Sequence, residues 1–137
     1  MSILMEGMCP LIQVFDMPTA IRFYRDVLGF ELVNSAPPGD DCDWCLLKFN
    51  DIWLMLNTQY EKDDRPQSPS PARVGAHGDT ALYFRVSDLN AAYESLKSRG
   101  VNADPPLVTG YGMTQVYFKD PDGYSLCFQW PTESAKS

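Results

Sequence analysis

Long hydrophobic runs are missing from this sequence. Apolar residues fill 45% of its 137 positions, yet none of their runs nears the ~20 residues a membrane-spanning helix needs. No positively charged start leads into an apolar stretch, so no secretory signal is read and a cytoplasmic location is expected. Positive charge is also short: 11 Lys and Arg against 18 Asp and Glu leave a formal charge of −7. That balance argues against nonspecific affinity for nucleic acid or for an anionic membrane surface. It mildly favours a cationic ligand, although solubility alone accounts for most acidic surfaces. The length suits one domain with a real core.

Metal-binding side chains are scarce as well. His77 is the single histidine, and it falls in a Pro- and Ser-rich stretch where a solvated loop residue is expected. The four cysteines are Cys9, Cys42, Cys45 and Cys127. Cys42-Asp43-Trp44-Cys45 has a CxxC spacing, but redox pairs sit at a helix start, where the helix end lowers the thiol pKa. Here the pair straddles the start of a strand, and no second CxxC exists to complete a zinc site. Free structural thiols are expected, with redox or metal work as the alternative.

What the chain does have is a strong hairpin signal at Gln115–Pro131. Asp120-Pro121-Asp122-Gly123 places Pro where a turn wants a fixed φ and Gly where it wants a positive one. Val116 and Phe118 before it, and Tyr124, Leu126, Phe128 and Trp130 after it, recur at period two. That is the pattern of strands with one face in a core. Tyr117, Ser125, Cys127 and Gln129 take the other face, whose mixed chemistry suits a cleft.

Earlier in the chain, residues 1–8 read as a loose leader and Cys9–Phe15 as a strand. Asp16 can cap the next helix, with Pro18 tolerated in its first turn. Met17, Ala20, Ile21, Tyr24 and Leu28 form its apolar stripe, and Gly29 stops it. Strands follow at Phe30–Asn34, Trp44–Phe49 and Ile52–Asn57. About residues 59–78 lack periodicity and read as a mobile connector, a plain linker or a lid. The second half then repeats the first. An offset of 72 superimposes Val14 on Val86, Asp16 on Asp88, Ala20 on Ala92 and Leu54 on Leu126. It also sets the Asn50-Asp51 turn on Asp122-Gly123, with the order strand, helix, three strands kept ungapped.

Three phrases carry a family resemblance: VFDMPTAIRFYRDVLGFEL at 14–32, VSDLNAAYESLKSRGV at 86–101 and YFKDPDGYSLCF at 117–128. With their linking strands they cover nearly the whole chain, and the combination resembles the vicinal-oxygen-chelate superfamily. That group contains glyoxalase I, extradiol dioxygenases, methylmalonyl-CoA epimerase and the bleomycin-resistance proteins. The resemblance implies an α+β fold in which two βαβββ modules form curved mixed sheets around a cleft, with helices outside. Module one would span about 9–58 and module two about 79–131. A homodimer is implied as well. Whether the modules face each other within a chain or across a dimer stays open.

The metal enzymes of the family place His, Gln or Glu in the first and last strands of each module. The matching positions here hold Cys9, Met55, Ala81 and Cys127. None offers a carboxylate or imidazole, and Ala81 offers no donor at all, so no metal and no cofactor are expected. Three sulfurs without a supporting pattern are weak grounds for a copper(I) site. Glu31 and Asp79 adjoin strands but have no sequence partner, and no basic residue accompanies Cys9 or Cys127, so no catalytic residue is assigned.

Strict alternation assigns the cleft instead. Leu11, Gln13, Trp53, Met55, Asn57, Tyr83, Arg85, Tyr117, Ser125, Cys127 and Gln129 would line it, with Pro10, Ile12, Val14, Leu54, Leu56, Leu126 and Phe128 facing the helices. Tyr111 and Met113, in a pliable Gly110-Tyr111-Gly112-Met113 segment, would form its rim. Aromatic planes, amides and one guanidinium suit a small aromatic, partly polar compound. Trp53 and Tyr83 have core filling as their alternative. Arg85 must meet a ligand carboxylate or an internal ion pair. The expected function is therefore metal-independent binding or sequestration, as in bleomycin-resistance members. The alternative is a glyoxalase- or dioxygenase-class enzyme with an atypical or absent metal site.

Overall fold

A computed structural model of the chain describes residues 2–132. It shows an α+β protein with two four-stranded mixed sheets, and the chain divides between Ser68 and Pro69 into two compact units.

In unit one the strands are β1 (Leu11–Val14), β2 (Glu31–Ala36), β3 (Trp44–Phe49) and β4 (Ile52–Thr58), ordered β1-β4-β3-β2. β1 runs parallel to β4 and the other pairs are antiparallel. Helix α1 (Met17–Ile21) starts where Asp16 accepts a bond from the Thr19 amide and Pro18 stands in the first turn. It continues as a wider π turn over Arg22–Val27, with Leu28 N donating to Phe23 O at 3.1 Å. Gly29 at φ 98° ends it, and the Phe30 amide reaches back to Tyr24 O at 2.9 Å. This closure puts Phe30 edge-on against Tyr24 and satisfies a helix-end carbonyl. Met17, Ala20, Ile21 and Tyr24 are buried with Ile12, Val14, Leu47, Leu54 and Leu56.

In unit two the strands are β5 (Ala81–Arg85), β6 (Leu107–Val108), β7 (Met113–Lys119) and β8 (Ser125–Pro131), ordered β5-β8-β7-β6. Its helices are α2 (Pro71–His77) and α3 (Leu89–Ser98), the latter capped by Asp88. Leu11 faces Met55 across β1 and β4, and Tyr83 faces Cys127 across β5 and β8. The two pairings are one register displaced by 72 residues. The displacement slips at the second hairpin. Four residues separate the facing pair Lys48 and Trp53, but five separate Lys119 and Ser125, so the expected ungapped repeat needs an insertion there. The Asp120 carboxylate explains the longer turn by accepting from the amides of Asp122 (2.8 Å) and Tyr124 (3.0 Å). Such a side-chain turn needs Asp or Asn at its start.

The stretch read as a mobile connector contains a helix over Pro71–His77. Ser70 caps α2 and Pro71 opens it, and this helix sits on the Asp120–Tyr124 turn. A Cβ placed on Gly123 would fall within van der Waals distance of Val74 Cγ1, at 2.8 Å. His77 is likewise no solvated loop residue: its ring stacks on Tyr124, and its Nδ1 donates to Asp122 O at 2.7 Å.

Candidate functional site

Each sheet has a buried face toward its helices and a second face that carries the side chains able to meet a ligand. In unit one Leu11 and Gln13 on β1 lie directly beside Met55 and Asn57 on β4, and directly paired residues share a face. Trp53 extends that row, and the intervening Leu54 and Leu56 are buried on the opposite side. Leu11 keeps 44% and Trp53 36% of their surface exposed, so neither fills the core of this unit. The Asn57 amide donates to Gln13 Oε1 at 3.4 Å.

β3 adds three residues that alternation within single strands did not assign. Trp44 stands opposite Asn57, Leu46 opposite Met55 and Lys48 opposite Trp53. The Lys48 ammonium lies 5.0 Å from the centre of the Trp53 ring. At an exposed position such a cation–π contact is worth about 0.5–1 kcal/mol. A signal for these residues existed: Cys45 and Leu47 are the apolar alternates of β3 and are buried, which turns Trp44, Leu46 and Lys48 the other way.

In unit two Tyr83 and Tyr117 flank Cys127 from its two neighbouring strands. Their hydroxyls are 2.8 Å apart and hydrogen-bonded, with the rings edge to face. Cys127 is fully buried, so on this face the tyrosines are accessible and the thiol is not. Burial pushes the Cys127 thiol up, partly offset by its bond to Tyr117. The Tyr83 bond, with some desolvation, raises the Tyr117 hydroxyl well above the usual phenol range.

Further along the face, Gln115 Nε2 donates to Tyr111 Oη (2.9 Å) and to Gln129 Oε1 (3.0 Å). Gln115, buried at 3% exposure, is a further residue absent from the sequence-based set. Tyr111 is 70% exposed. Met113 opens β7 and pairs with Pro131. Ser125 Oγ donates to Gly78 O at 2.9 Å and accepts from Lys119 Nζ at 3.3 Å, which holds it in the α2 contact. Arg85 lies at the end of β5. Its guanidinium stacks over the Trp130 ring at 5.2 Å, an arrangement open to an exposed strand-end arginine because the charge keeps its water.

The four positions matching the family's metal ligands do not make a donor set for the metals of its enzymes. Cys9 Sγ bonds to the Pro10 carbonyl, Ala81 has no donor, Cys127 is buried beneath two tyrosines, and Met55 offers a thioether. Divalent zinc, nickel or iron would want imidazole and carboxylate here. Among the described residues, no three His, Cys, Asp or Glu side chains gather as a metal-binding group. No described helix is long and apolar enough to cross a membrane.

Comparison with known proteins places this geometry. Residues 8–128 match the Glyoxalase/Bleomycin resistance protein/Dioxygenase superfamily. A biphenyl-2,3-diol 1,2-dioxygenase 2 from Rhodococcus globerulus is 37% identical over 54 residues, 39% of this chain, and the match spans only 28% of that enzyme's length. The lactoylglutathione lyase of Haemophilus influenzae is 25% identical over 133 residues, covering 90% of this chain and 91% of the lyase. Among solved structures, a glyoxalase/bleomycin resistance protein from Streptomyces sp. CB03234 superimposes with a TM-score of 0.63 and 29% identity, covering 89% of this chain and 97% of that one.

Proposed function

The chain belongs to the Glyoxalase/Bleomycin resistance protein/Dioxygenase superfamily, and from that membership we propose that it binds and sequesters a small aromatic compound without using a metal ion. One observation carries the reading. Trp53, a large aromatic that a core would normally absorb, is held partly exposed on an open sheet face with Lys48 over its ring. An aromatic ligand stacking there would bury apolar surface on both partners. The Gln13–Asn57 amide pair beside it supplies directional hydrogen bonds.

The charge of the ligand follows from distance. The net charge of −7 is spread over the molecule, and at physiological salt exposed charges beyond about 8 Å are largely screened. Lys48 is at the ring itself. A ligand bearing an anionic group therefore gains more at Trp53 than a cationic one, which the net charge alone would favour.

The test is a tryptophan-fluorescence titration against aromatic acids, amines and neutral compounds, for the native protein and Trp53→Ala. Trp53→Ala should abolish saturable binding while leaving the urea midpoint nearly unchanged. Parallel loss of folding and binding would return Trp53 to a structural role. A homodimer in the cytoplasm accompanies this reading, and sedimentation of purified protein tests the dimer.

The second reading is an enzyme of the lyase or dioxygenase class with an atypical or absent metal site. The likeness to lactoylglutathione lyase over 91% of that enzyme favours it. Stoichiometric divalent metal bound by purified protein, with turnover of a thiohemiacetal or catechol, would establish this reading over the first.

A further inference from the structure

One register position is filled differently in the two units. Gln13 on β1 pairs with Asn57 on β4, and 72 residues further on Arg85 on β5 pairs with Gln129 on β8. In unit one the two amides satisfy each other, with Asn57 Nδ2 donating to Gln13 Oε1 at 3.4 Å. In unit two they do not. A guanidinium only donates, and the single side-chain acceptor atom of Gln129 is turned to Gln115 Nε2 at 3.0 Å.

Both members of the pair are held by their surroundings. Gln115 is 3% exposed, and its Nε2 uses one hydrogen on Gln129 Oε1 and the other on Tyr111 Oη at 2.9 Å. The bond to Gln129 orients that amide and leaves its own Nε2 hydrogens over. Arg85 lies across the Trp130 ring, which covers one face of the guanidinium and leaves its N–H edges open. Among the described residues no carboxylate pairs with Arg85 and no acceptor meets Gln129 Nε2.

Two donors, one of them cationic, thus stand on one face at directly paired positions, and no acceptor serves either. The geometry points to an anion site in unit two, formed by Arg85 and Gln129 and positioned by Gln115, that takes the carboxylate of a small organic acid. A carboxylate offers two coplanar oxygens, which suit the edge of a guanidinium together with an amide donor. Tyr83, two residues earlier on β5 and half exposed, gives the organic part of the acid a ring to lie against. This site does not depend on Trp53.

The test is heteronuclear NMR of the full, native chain, following the Arg85 Nε–H and Gln129 Nε2 signals during titration with benzoate or its neutral counterpart benzamide at constant ionic strength. Benzoate should move both signals saturably, and benzamide should move neither. Arg85→Gln should weaken benzoate binding at this site at least about tenfold, the loss expected for a hydrogen bond between charged groups. Gln129→Glu keeps an acceptor for Gln115 and gives Arg85 an internal carboxylate, so it should abolish binding there. If Arg85→Gln fails to fold, Gln129→Glu decides alone. Binding at Arg85 that survives Gln129→Glu, or an equal response to benzamide, would overturn the site and leave Arg85 as a surface charge stacked on Trp130. The Trp53 indole signal reports unit one separately, so either reading can fail without the other.

Discussion

His77 lies flat on Tyr124, their ring centroids 4.1 Å apart and their planes 8° from parallel. The contact anchors a short helix to the turn that most strongly marks this sequence. Seven residues are too few to hold a helix in water by themselves, so α2 exists because Tyr124, Asp122 and Gly123 receive it.

Two substitutions separate the parts of that contact. Gly123 has φ 89°, and a methyl there would meet the Val74 backbone as well as its side chain. Gly123→Ala should therefore destabilise unit two by more than about 1 kcal/mol, from the left-handed backbone and the clash together. His77→Ala should cost about 0.5–1.5 kcal/mol, the range for a stacked aromatic pair. Urea denaturation reads both. Hydrogen exchange should show amides of residues 71–77 losing protection in each variant, and a helix equally protected in both would refute the docking.

Cys127 is sealed by a pair of tyrosines whose hydroxyls bond to each other. Tyr83 is 51% exposed, so its ring is the removable half of the cover. Tyr83→Ala should speed alkylation of Cys127 by a small neutral reagent at least several-fold with little loss of stability. Tyr83→Phe, which removes only the hydroxyl bond, should change the rate far less. Peptide mass mapping of the alkylated protein gives the rate at each cysteine. Equal rates in all three proteins would show that the sheet, not the tyrosines, shields the thiol.

Burial pushes the Cys45 thiol up from 9.0 to about 12. The folded state thus holds this proton more tightly than the unfolded state does. Its contribution to stability is complete below about pH 9 and is lost as the pH rises towards 12. Native protein should accordingly lose stability steeply across that window. Cys45→Val, apolar and of similar size, should flatten the slope while costing little at pH 7. The urea midpoint measured from pH 7 to 11 checks this, and an unchanged alkaline slope in Cys45→Val would assign the loss to other groups.

Much of this architecture was readable in one dimension. The displacement of 72 residues works because the first strand, the helix that follows it and the last strand of each unit are similar in length and spacing, so their apolar residues recur alike. Alternation sorted Leu11, Gln13, Trp53 and Met55 from Ile12, Val14, Leu54 and Leu56, because the side-chain period of a strand is two. What the sequence left unread has nameable reasons. Lys48 joined Trp53 only once β3 paired with β4 in a definite register. Arg85 found the Trp130 ring, a contact between the ends of two strands 45 positions apart. The π turn in Arg22–Val27 leaves the apolar stripe of its helix intact, so periodicity cannot reveal it. Helix α2 was missed although Ser70-Pro71 is a sound start signal, because its apolar contact is little more than Val74.

The order of residues alone determined the paired strand-and-helix units, the buried face of each sheet and the turn at Asp120. These depend on local backbone preferences and on a hydrophobic pattern written along each strand. Only the tertiary structure decided which side chains meet across strands: Lys48 on Trp53, Tyr83 with Tyr117, His77 on Tyr124 and Cys45 at Met17. Those partners are distant in the chain, and the register that joins them is set by the packing of whole sheets, which no short stretch of residues contains.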